Sequence, residues 1–310
     1  MTRKIDKRPI VCGTDFSTVA TEAVEIAAAM ARRLKTKLVL VHVDQLIGVL
    51  VSNPVVLEAA ILQRRGDLDD EAQRLRDSGT EVEEKFLSGS AFDQLATAAT
   101  KERGRLIVVG AVGHGFARRL LLGSVAERTA ETSRIPTLVV RPGGRLASWI
   151  RGEHSLKVLV GYDFSAASDA ALNWINQLRE IGKCQTTVLY SSWPPDEARR
   201  LGHEGRLPLA PTVKRELQKD VEHDLKEHVA TILPGEKVRT IVEAGWGNPE
   251  GYLYEMASRQ HVDLIVVGTH QRRGLGRLLL GSVSRAVLHH AKVTVAVIPP
   301  AEAPMRKHGR

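Results

Sequence analysis

Two loops of matching spacing carry the residues best suited to chemistry in this chain of 310 residues. The first loop has Gly110 and Gly113 with two residues between them, then nine residues before Gly123 and Ser124. Glycines after an apolar strand leave backbone N–H groups open to a ligand, and we expect several of them to have positive φ. A helix that begins at Ser124 would add free N–H groups and the positive end of its dipole. This pattern predicts a phosphate site.

The second loop repeats the first in the other half of the chain, at Gly268 and at Gly281-Ser282, with Gln271 where the first loop has its second glycine. The flanking segments Leu-Ile-Val-Val-Gly and Arg-Leu-Leu-Leu-Gly-Ser-Val occur in both halves without a gap. A repeat of this length indicates two copies of one domain.

Each copy alternates short apolar strands with amphipathic helices, which predicts an α/β fold with helices on both faces of a parallel sheet. In the first copy the predicted strands cover residues 10–13, 38–43, 82–86, 106–110 and 137–141. Ser17 is placed to cap the first helix, whose apolar stripe should pack on the sheet. That stripe consists of Ala20, Ala23, Val24, Ala27, Ala31 and Leu34. We therefore predict two tandem doubly wound domains of five parallel strands.

Strand order 3-2-1-4-5 would place the first and fourth strands side by side, at the point where the winding of the sheet reverses. Ligands of such sheets bind at that point, beyond the carboxyl ends of the strands. Asp15 follows the first strand, so it should face the same crevice as Gly110. Two roles stay open for Asp15: it accepts hydrogen bonds from a base or ribose, or it helps to hold a divalent cation.

The join between the copies is short. Arg141-Pro142-Gly143-Gly144 ends the first copy, and we place the domains at 1–145 and 155–300. Each is about 150 residues, enough to bury its own core. The second copy has a longer connection at 193–211, rich in proline and charge, which we expect to be a surface loop.

Composition excludes several classes of protein. Charged residues make up 26% of the chain and hydrophobic residues 43%, which is typical of a globular protein. No apolar run is long enough to span a bilayer, so we expect a cytoplasmic location. Cys12 and Cys184 lack metal-site spacing and are predicted to be buried or inert thiols. The net charge of +8 could suggest nucleic acid, but aromatic content is only 4% and no recognition signature stands out.

With these motifs, the chain resembles a tandem member of the universal stress protein family, whose nucleotide-binding members carry G-x2-G-x9-G-(S/T) after strand four and an Asp after strand one. The resemblance covers both halves and implies the adenine nucleotide alpha-hydrolase-like fold, with ATP, either alone or together with Mg²⁺, as the cofactor. It implies that the first copy contacts ATP through Gly13, Thr14, Asp15, Val43, Val109, Gly110, Gly113, Gly123, Ser124 and Val125.

The second copy departs from this pattern at Gln271, whose side chain should crowd the phosphate, and at Tyr190-Ser191, where the first copy has His42-Val43. A second site stays open. It would use Tyr162, Asp163, Gly268, Gly281, Ser282 and Val283.

The resemblance favours an ATP-binding stress-response regulator whose nucleotide occupancy modulates conformation or partner binding. The alternatives are a weak nucleotide hydrolase and an interaction scaffold that binds no nucleotide. The chain has no Walker-type G-K-(S/T), so we assign no catalytic residue.

The sequence also bears on how the two copies, and two chains, would pair. The resemblance implies pairing through the strands at 136–141 and 292–298, which would cover two apolar edges and make one chain a pseudo-dimer. The segment 46–57 is too apolar for an ordinary connection. It could begin the second helix and pack on the sheet, cover the crevice, or form a contact that makes a homodimer.

Overall fold

The computed structural model describes residues 6–45, 54–113, 122–192, 211–235, 237–244, 248–269 and 280–300. The first half contains β1 (Ile10–Thr14), α1 (Thr18–Leu34), β2 (Leu38–Asp44), α2 (Pro54–Asp77), β3 (Val82–Ser88), α3 (Ala91–Lys101), β4 (Leu106–Gly110), α4 (Ser124–Thr132) and β5 (Thr137–Val140), followed by α5 (Leu146–Ile150). The second half contains β6 (Leu156–Tyr162), α6 (Ala166–Leu178), β7 (Cys184–Ser192), α7 (Pro211–Ile232), β8 (Arg239–Ala244), α8 (Pro249–Arg259), β9 (Leu264–Gly268), α9 (Ser282–His290) and β10 (Thr294–Ile298).

The described strands form one sheet in the order β3-β2-β1-β4-β5-β10-β9-β6-β7-β8. Within each half all neighbours are parallel, and the order from the outer edge is 3-2-1-4-5, as predicted. The two halves meet where β5 pairs antiparallel with β10, with Val139 opposite Val295. The two apolar edge strands therefore cover each other.

Helices cover both faces of this sheet. One core cluster packs α1, α2, α5, α6 and α7 on one face, and the other packs α3, α4, α8 and α9 on the opposite face. The Ser17 hydroxyl caps α1 by accepting the Ala20 N–H at 3.3 Å, and all six residues of the predicted apolar stripe are buried. The local pattern of this helix thus fits its place on the sheet.

Strand β3 differs from the expected fully buried, apolar strand. Its residues are only half-buried, because it lies at the sheet edge and carries Glu83, Glu84 and Lys85. The Lys85 ammonium lies 2.7 Å from the Glu83 carboxylate and 2.8 Å from that of Glu102. Charged side chains of this kind protect an edge strand from pairing with another chain.

The segment between the predicted domains is ordered by packing rather than acting as a bare linker. Trp149 of α5 is fully buried, and its indole N–H donates to the Lys183 carbonyl at 2.9 Å. A Cβ on Gly182 would lie 2.7 Å from the Trp149 Nε1, so only glycine fits beside the ring. The join therefore packs both on α1 of the first half and on Gly182 and Lys183 of the second.

Two sequence expectations concern residues at the edge of the described chain. Residues 46–53 and 193–210 lie outside it. Val55 and Val56 belong to the first turn of α2 and are 73% and 57% exposed, so the expectation that they pack on the sheet is wrong for these two residues. No described helix combines the length and apolar character that a membrane crossing requires.

The two cysteines are free thiols. Cys12 is buried in β1, where burial raises the pKa of its thiol well above the usual value, and Cys184 is partly buried at the start of β7. Neither thiol lies in a group of three metal-ligating side chains within the described residues.

Candidate functional site

A cavity of about 330 Å³ lies beyond the carboxyl ends of β1 and β4, at the predicted switch point. The structure brings all ten residues predicted for the first copy to its walls: Gly13, Thr14, Asp15, Val43, Val109, Gly110, Gly113, Gly123, Ser124 and Val125. A cavity of this size is at the lower end of the range found for small-molecule sites.

One end of this cavity is formed by the start of α4. Gly123 is the N-cap, with φ −74° and ψ 143°, and no side chain caps the helix. Its N–H donates to the Ala111 carbonyl at 2.7 Å, which fixes the helix start against the end of β4. Ser124, Val125 and Ala126 line the cavity, so the first-turn N–H groups and the helix dipole favour an anion there.

The glycines of this loop are explained by packing. The expectation of positive φ is wrong for Gly110, Gly113 and Gly123, none of which is in the left-handed region. A Cβ on Gly110 would lie 3.2 Å from the backbone of Val19, at the start of α1. A Cβ on Gly113 would overlap the Asp15 Oδ2, so the carboxylate would have to move from its observed place. Close approach of neighbouring groups therefore favours glycine at these two positions.

Asp15 faces this loop from the turn between β1 and α1. Its Oδ1 accepts the Ser17 N–H at 3.1 Å, while Phe16 between them has a φ of 61°. Non-glycine residues seldom adopt that conformation, and it places the Asp15 carboxylate directly against Gly113. The turn therefore sets the carboxylate beside the end of the cavity that the start of α4 forms.

The other end of the cavity is apolar. Val41 and Val43 of β2, Leu95 of α3 and Val109 of β4 form its walls, with Ala91 at the start of α3. Such a surface suits the flat face of a base, because burying apolar area against it is favourable. Of these residues, Val43 and Val109 were predicted from the sequence, and Val41, Leu95 and Ala91 were not.

The cavity wall contains four further residues that were not predicted from the sequence: Ala20, Gln45, Val112 and Ala126. Val41 could have been found, since it lies two residues before Val43 and a strand directs alternate side chains to the same face. The contribution of α3 has no such signal, because it depends on how that helix packs over the sheet.

A buried histidine supports the turn from the far side of the sheet. His42 Nδ1 lies 2.9 Å from the Thr14 carbonyl oxygen, and its ring stacks on Phe16 with 4.6 Å between centroids. Burial lowers the pKa of His42, although its contact with Thr14 opposes the shift. Thr14 Oγ1 in turn accepts the Phe16 N–H at 3.2 Å. These contacts hold the conformation that directs Asp15 into the cavity.

The second half has a corresponding but smaller cavity of about 260 Å³. All six residues of the predicted second site line it: Tyr162, Asp163, Gly268, Gly281, Ser282 and Val283. Gly281 caps α9 without a side-chain hydrogen bond, and Asp163 Oδ1 accepts the Ser165 N–H at 3.0 Å across Phe164, whose φ is 59°. The backbone of the first site is thus repeated, while Gln271 lies outside the described residues.

The side chains of the two cavities differ. Ser191 stands where the first cavity has Val43, and Pro249 stands where it has Ala91. Tyr162 replaces Thr14, and its hydroxyl donates to the Asp169 carboxylate, which also lies 2.9 Å from His228 Nε2. Burial and the neighbouring carboxylates raise the pKa of Tyr162, so the hydroxyl stays protonated in this network. The two cavities therefore share their backbone but differ in the side chains at these three positions.

Known proteins share both the sequence and this architecture. A universal stress protein of Mycolicibacterium smegmatis is 28% identical over 315 residues, covering 94% of this chain and 97% of that protein. Universal stress protein MJ0531 of Methanocaldococcus jannaschii is 29% identical over 139 residues, covering 43% of this chain and 82% of that protein. A universal stress protein of Archaeoglobus fulgidus has the same fold, with a TM-score of 0.68 at 19% identity, over 95% of this chain and 99% of that chain.

The sequence model of the universal stress protein family matches the chain twice, over residues 7–141 and 155–299. These two matches coincide with the two halves of the sheet, each with its own cavity. The chain is a member of the universal stress protein family that contains two copies of the family's domain.

Proposed function

We propose that the chain is an ATP-binding regulatory protein whose main nucleotide site is the first cavity. One observation carries the proposal: a single cavity joins the uncapped start of α4 to an apolar pocket between β2 and α3. An adenine nucleotide has the matching chemistry, since its phosphates suit a helix N-terminus and its base suits the valine and leucine walls.

Asp15 sits between these two ends and would complete the site. The described residues contain no cluster of three metal-ligating side chains, so the protein would contribute one carboxylate to a cation. Mg²⁺ is often held in this way, by a single carboxylate together with phosphate oxygens and water. We therefore propose that Asp15 contacts Mg²⁺ or the nucleotide itself, rather than being part of an independent metal centre.

The regulatory part of the proposal rests on the elements that line the first cavity, which are the turn after β1 and the start of α4. Nucleotide occupancy would order those elements, and a protein partner could read that change.

The two domains, placed at 1–145 and 155–300, would form a pseudo-dimer within one chain. Besides the β5–β10 pairing, α4 and α9 contact each other through an ion pair between Glu131 and Arg285 at 2.6 Å and a hydrogen-bond contact between Glu127 and His289 at 2.8 Å. The first copy supplies the acid of the ion pair and the second supplies the base, which favours pairing between unlike copies. Whether 46–57 also makes a homodimer or a lid stays a prediction.

A calorimetric titration of ATP with Mg²⁺ tests the nucleotide site. Gly113→Ala places a methyl group on the Asp15 carboxylate, so we expect it to weaken binding at least tenfold. Gly66→Ala is the matched control, because its new methyl group has no atom within 4 Å, and it should bind as the wild type does. Equal affinity of the two variants, or no binding by the wild type, would overturn the proposal.

A further inference from the structure

Another cavity lies at the junction of the two copies, away from the first and second cavities. It has a volume of about 360 Å³ and is formed where the loop after β5 meets the residues just before β9 and β10. Arg141, Gly143 and Gly144 line it from the first copy, and Asp263, Lys292 and Thr294 line it from the second. It shares no residue with either of the other two cavities.

A buried cation forms part of its wall. Arg141 is only 4% exposed, and its guanidinium donates to the carbonyl oxygens of Leu288 at 2.9 Å and His289 at 3.4 Å. Its Nε is buried without a hydrogen-bond partner, and no carboxylate pairs with it among the described residues. Burial alone lowers the pKa of Arg141, which agrees with the absence of a neighbouring anion. This charge is held by carbonyl oxygens at the C-terminal end of α9, where the helix dipole is negative, and no carboxylate among the described residues pairs with it.

Two exposed cations at the cavity are also without ion-pair partners in the described part of the chain. Arg145 lines it from the first copy and Lys292 from the second, and neither pairs with a carboxylate there. Asp263 is the single acid in the wall, and its Oδ2 already accepts the Lys157 N–H at 2.9 Å. The cavity therefore carries an excess of positive charge.

A neutral donor is present as well. Gly143, whose φ is 75°, and Gly144 form a turn at the cavity, where the Gly143 N–H already donates to the Glu22 carboxylate at 3.2 Å. Glu22 is thus a second acid beside the cavity, against the three cations Arg141, Arg145 and Lys292. Thr294 Oγ1 accepts the Arg141 N–H at 3.2 Å, so its own O–H remains able to donate.

We propose that this junction cavity binds a small molecule carrying a phosphate or a similar oxyanion group. Guanidinium and ammonium groups together with a hydroxyl donor are the usual partners of such a group, and the volume suits a small ligand. The ligand would touch both copies at once, and it would stabilise their arrangement by binding only when they are together. The proposal does not depend on nucleotide binding in the first cavity.

The test uses the full chain and inorganic phosphate, with the amide resonances of Gly143 and Gly144 as the readout and chloride to hold ionic strength constant. Shifts of these two resonances report binding at the junction and distinguish it from binding at the start of α4, where phosphate could also bind. We expect saturable shifts in the wild type. Arg145→Gln with Lys292→Gln should weaken the apparent affinity about tenfold, because two charge-assisted contacts are lost.

The control removes two positive charges elsewhere. Arg151→Gln with Arg259→Gln changes exposed residues that pair with Glu153 and Glu255, so the net charge is matched. Its affinity should stay within about twofold of the wild type. All four residues are exposed, so the fold should survive in both variants. Shifts that never saturate, or equal affinity in the two double variants, would overturn the proposal. A wild type that responds to pyrophosphate but not to phosphate would support it with a larger ligand.

Discussion

The two cavities of this protein have nearly the same backbone and different walls. Asp15 and Asp163 stand in equivalent turns, each followed by a phenylalanine in the left-handed region and by a serine that caps the next helix. The differences lie where a base would sit, at Val43 against Ser191. The two copies therefore share the turn that positions the acid and the start of the following helix, and they differ in the side chain at the cavity wall.

The largest expected difference concerns the phosphate end of each cavity. Gly113→Val should abolish most ATP binding, because the new side chain collides with the Asp15 carboxylate. Gly281→Val should have a smaller effect on total ATP binding, since we place the main site in the first copy. Calorimetry on both variants compares the copies directly. A greater loss from the Gly281 change would reverse our assignment of the main site.

The apolar wall gives the next prediction. Val43→Ser gives the first cavity the residue found at Ser191, and it should weaken ATP binding about fivefold to tenfold through lost apolar contact. Val41→Thr is a milder companion change on the same wall and should weaken binding in the same direction. Fluorescence titration with an adenine nucleotide analogue measures both. Unchanged affinity in Val43→Ser would mean that the base lies elsewhere.

The equivalent glycines at the ends of β4 and β9 should differ in their effect on stability. A Cβ on Gly268 would lie 2.5 Å from the Ala167 backbone, whereas one on Gly110 would lie 3.2 Å from the Val19 backbone. Backbone must move in the first case, so Gly268→Ala should cost about 2 to 3 kcal/mol, and Gly110→Ala about 1 kcal/mol. Urea unfolding measures the difference, and the opposite ranking would contradict the packing that we describe.

A smaller effect is expected from pH. Burial holds the pKa of His42 below its usual value, so the unfolded chain binds this proton more readily than the folded chain does. Stability should therefore fall as pH decreases from the ordinary histidine pKa towards the lowered one. The raised pKa of Glu71 has the opposite effect at lower pH, so the measurement belongs between about pH 7.5 and 5.5.

His42→Gln should remove part of that pH dependence, at most about 1 kcal/mol, and His223→Gln, which replaces an exposed histidine in contact with Glu227 on α7, is the control for the loss of a histidine. Thermal unfolding across this pH range, without nucleotide, provides the comparison. An identical pH profile in the wild type and in His42→Gln would show that this histidine is not linked to folding.

The sequence was sufficient for two doubly wound domains, which follow from the internal repeat and the alternation of strands and helices, whereas the full set of residues at the first cavity was implied by the resemblance to the universal stress protein family. It was insufficient wherever the result depends on packing between distant elements. Leu95 reaches the cavity only because α3 crosses the sheet at that point. Glycine is favoured at position 113 because the Asp15 carboxylate, which follows β1, lies against it. The sequence pattern had predicted a positive φ as the reason for this glycine.

The same distinction explains the edges and the join. The charges of β3 matter only because that strand has one neighbour, and a strand's position in the sheet is not a local property of its sequence. Trp149 lies in a segment that looks like a linker, yet it is fully buried against the second copy. Neither outcome could be derived from the spacing of apolar residues.

The most direct test of the central claim is mass spectrometry of small molecules released when the purified chain is denatured. The account predicts an adenine nucleotide, close to a single molecule per chain, in the wild type and in Gly281→Val, and a strongly reduced amount in Gly113→Val. Absence of nucleotide from protein that also fails to bind added ATP, or an undiminished amount in Gly113→Val, would contradict it.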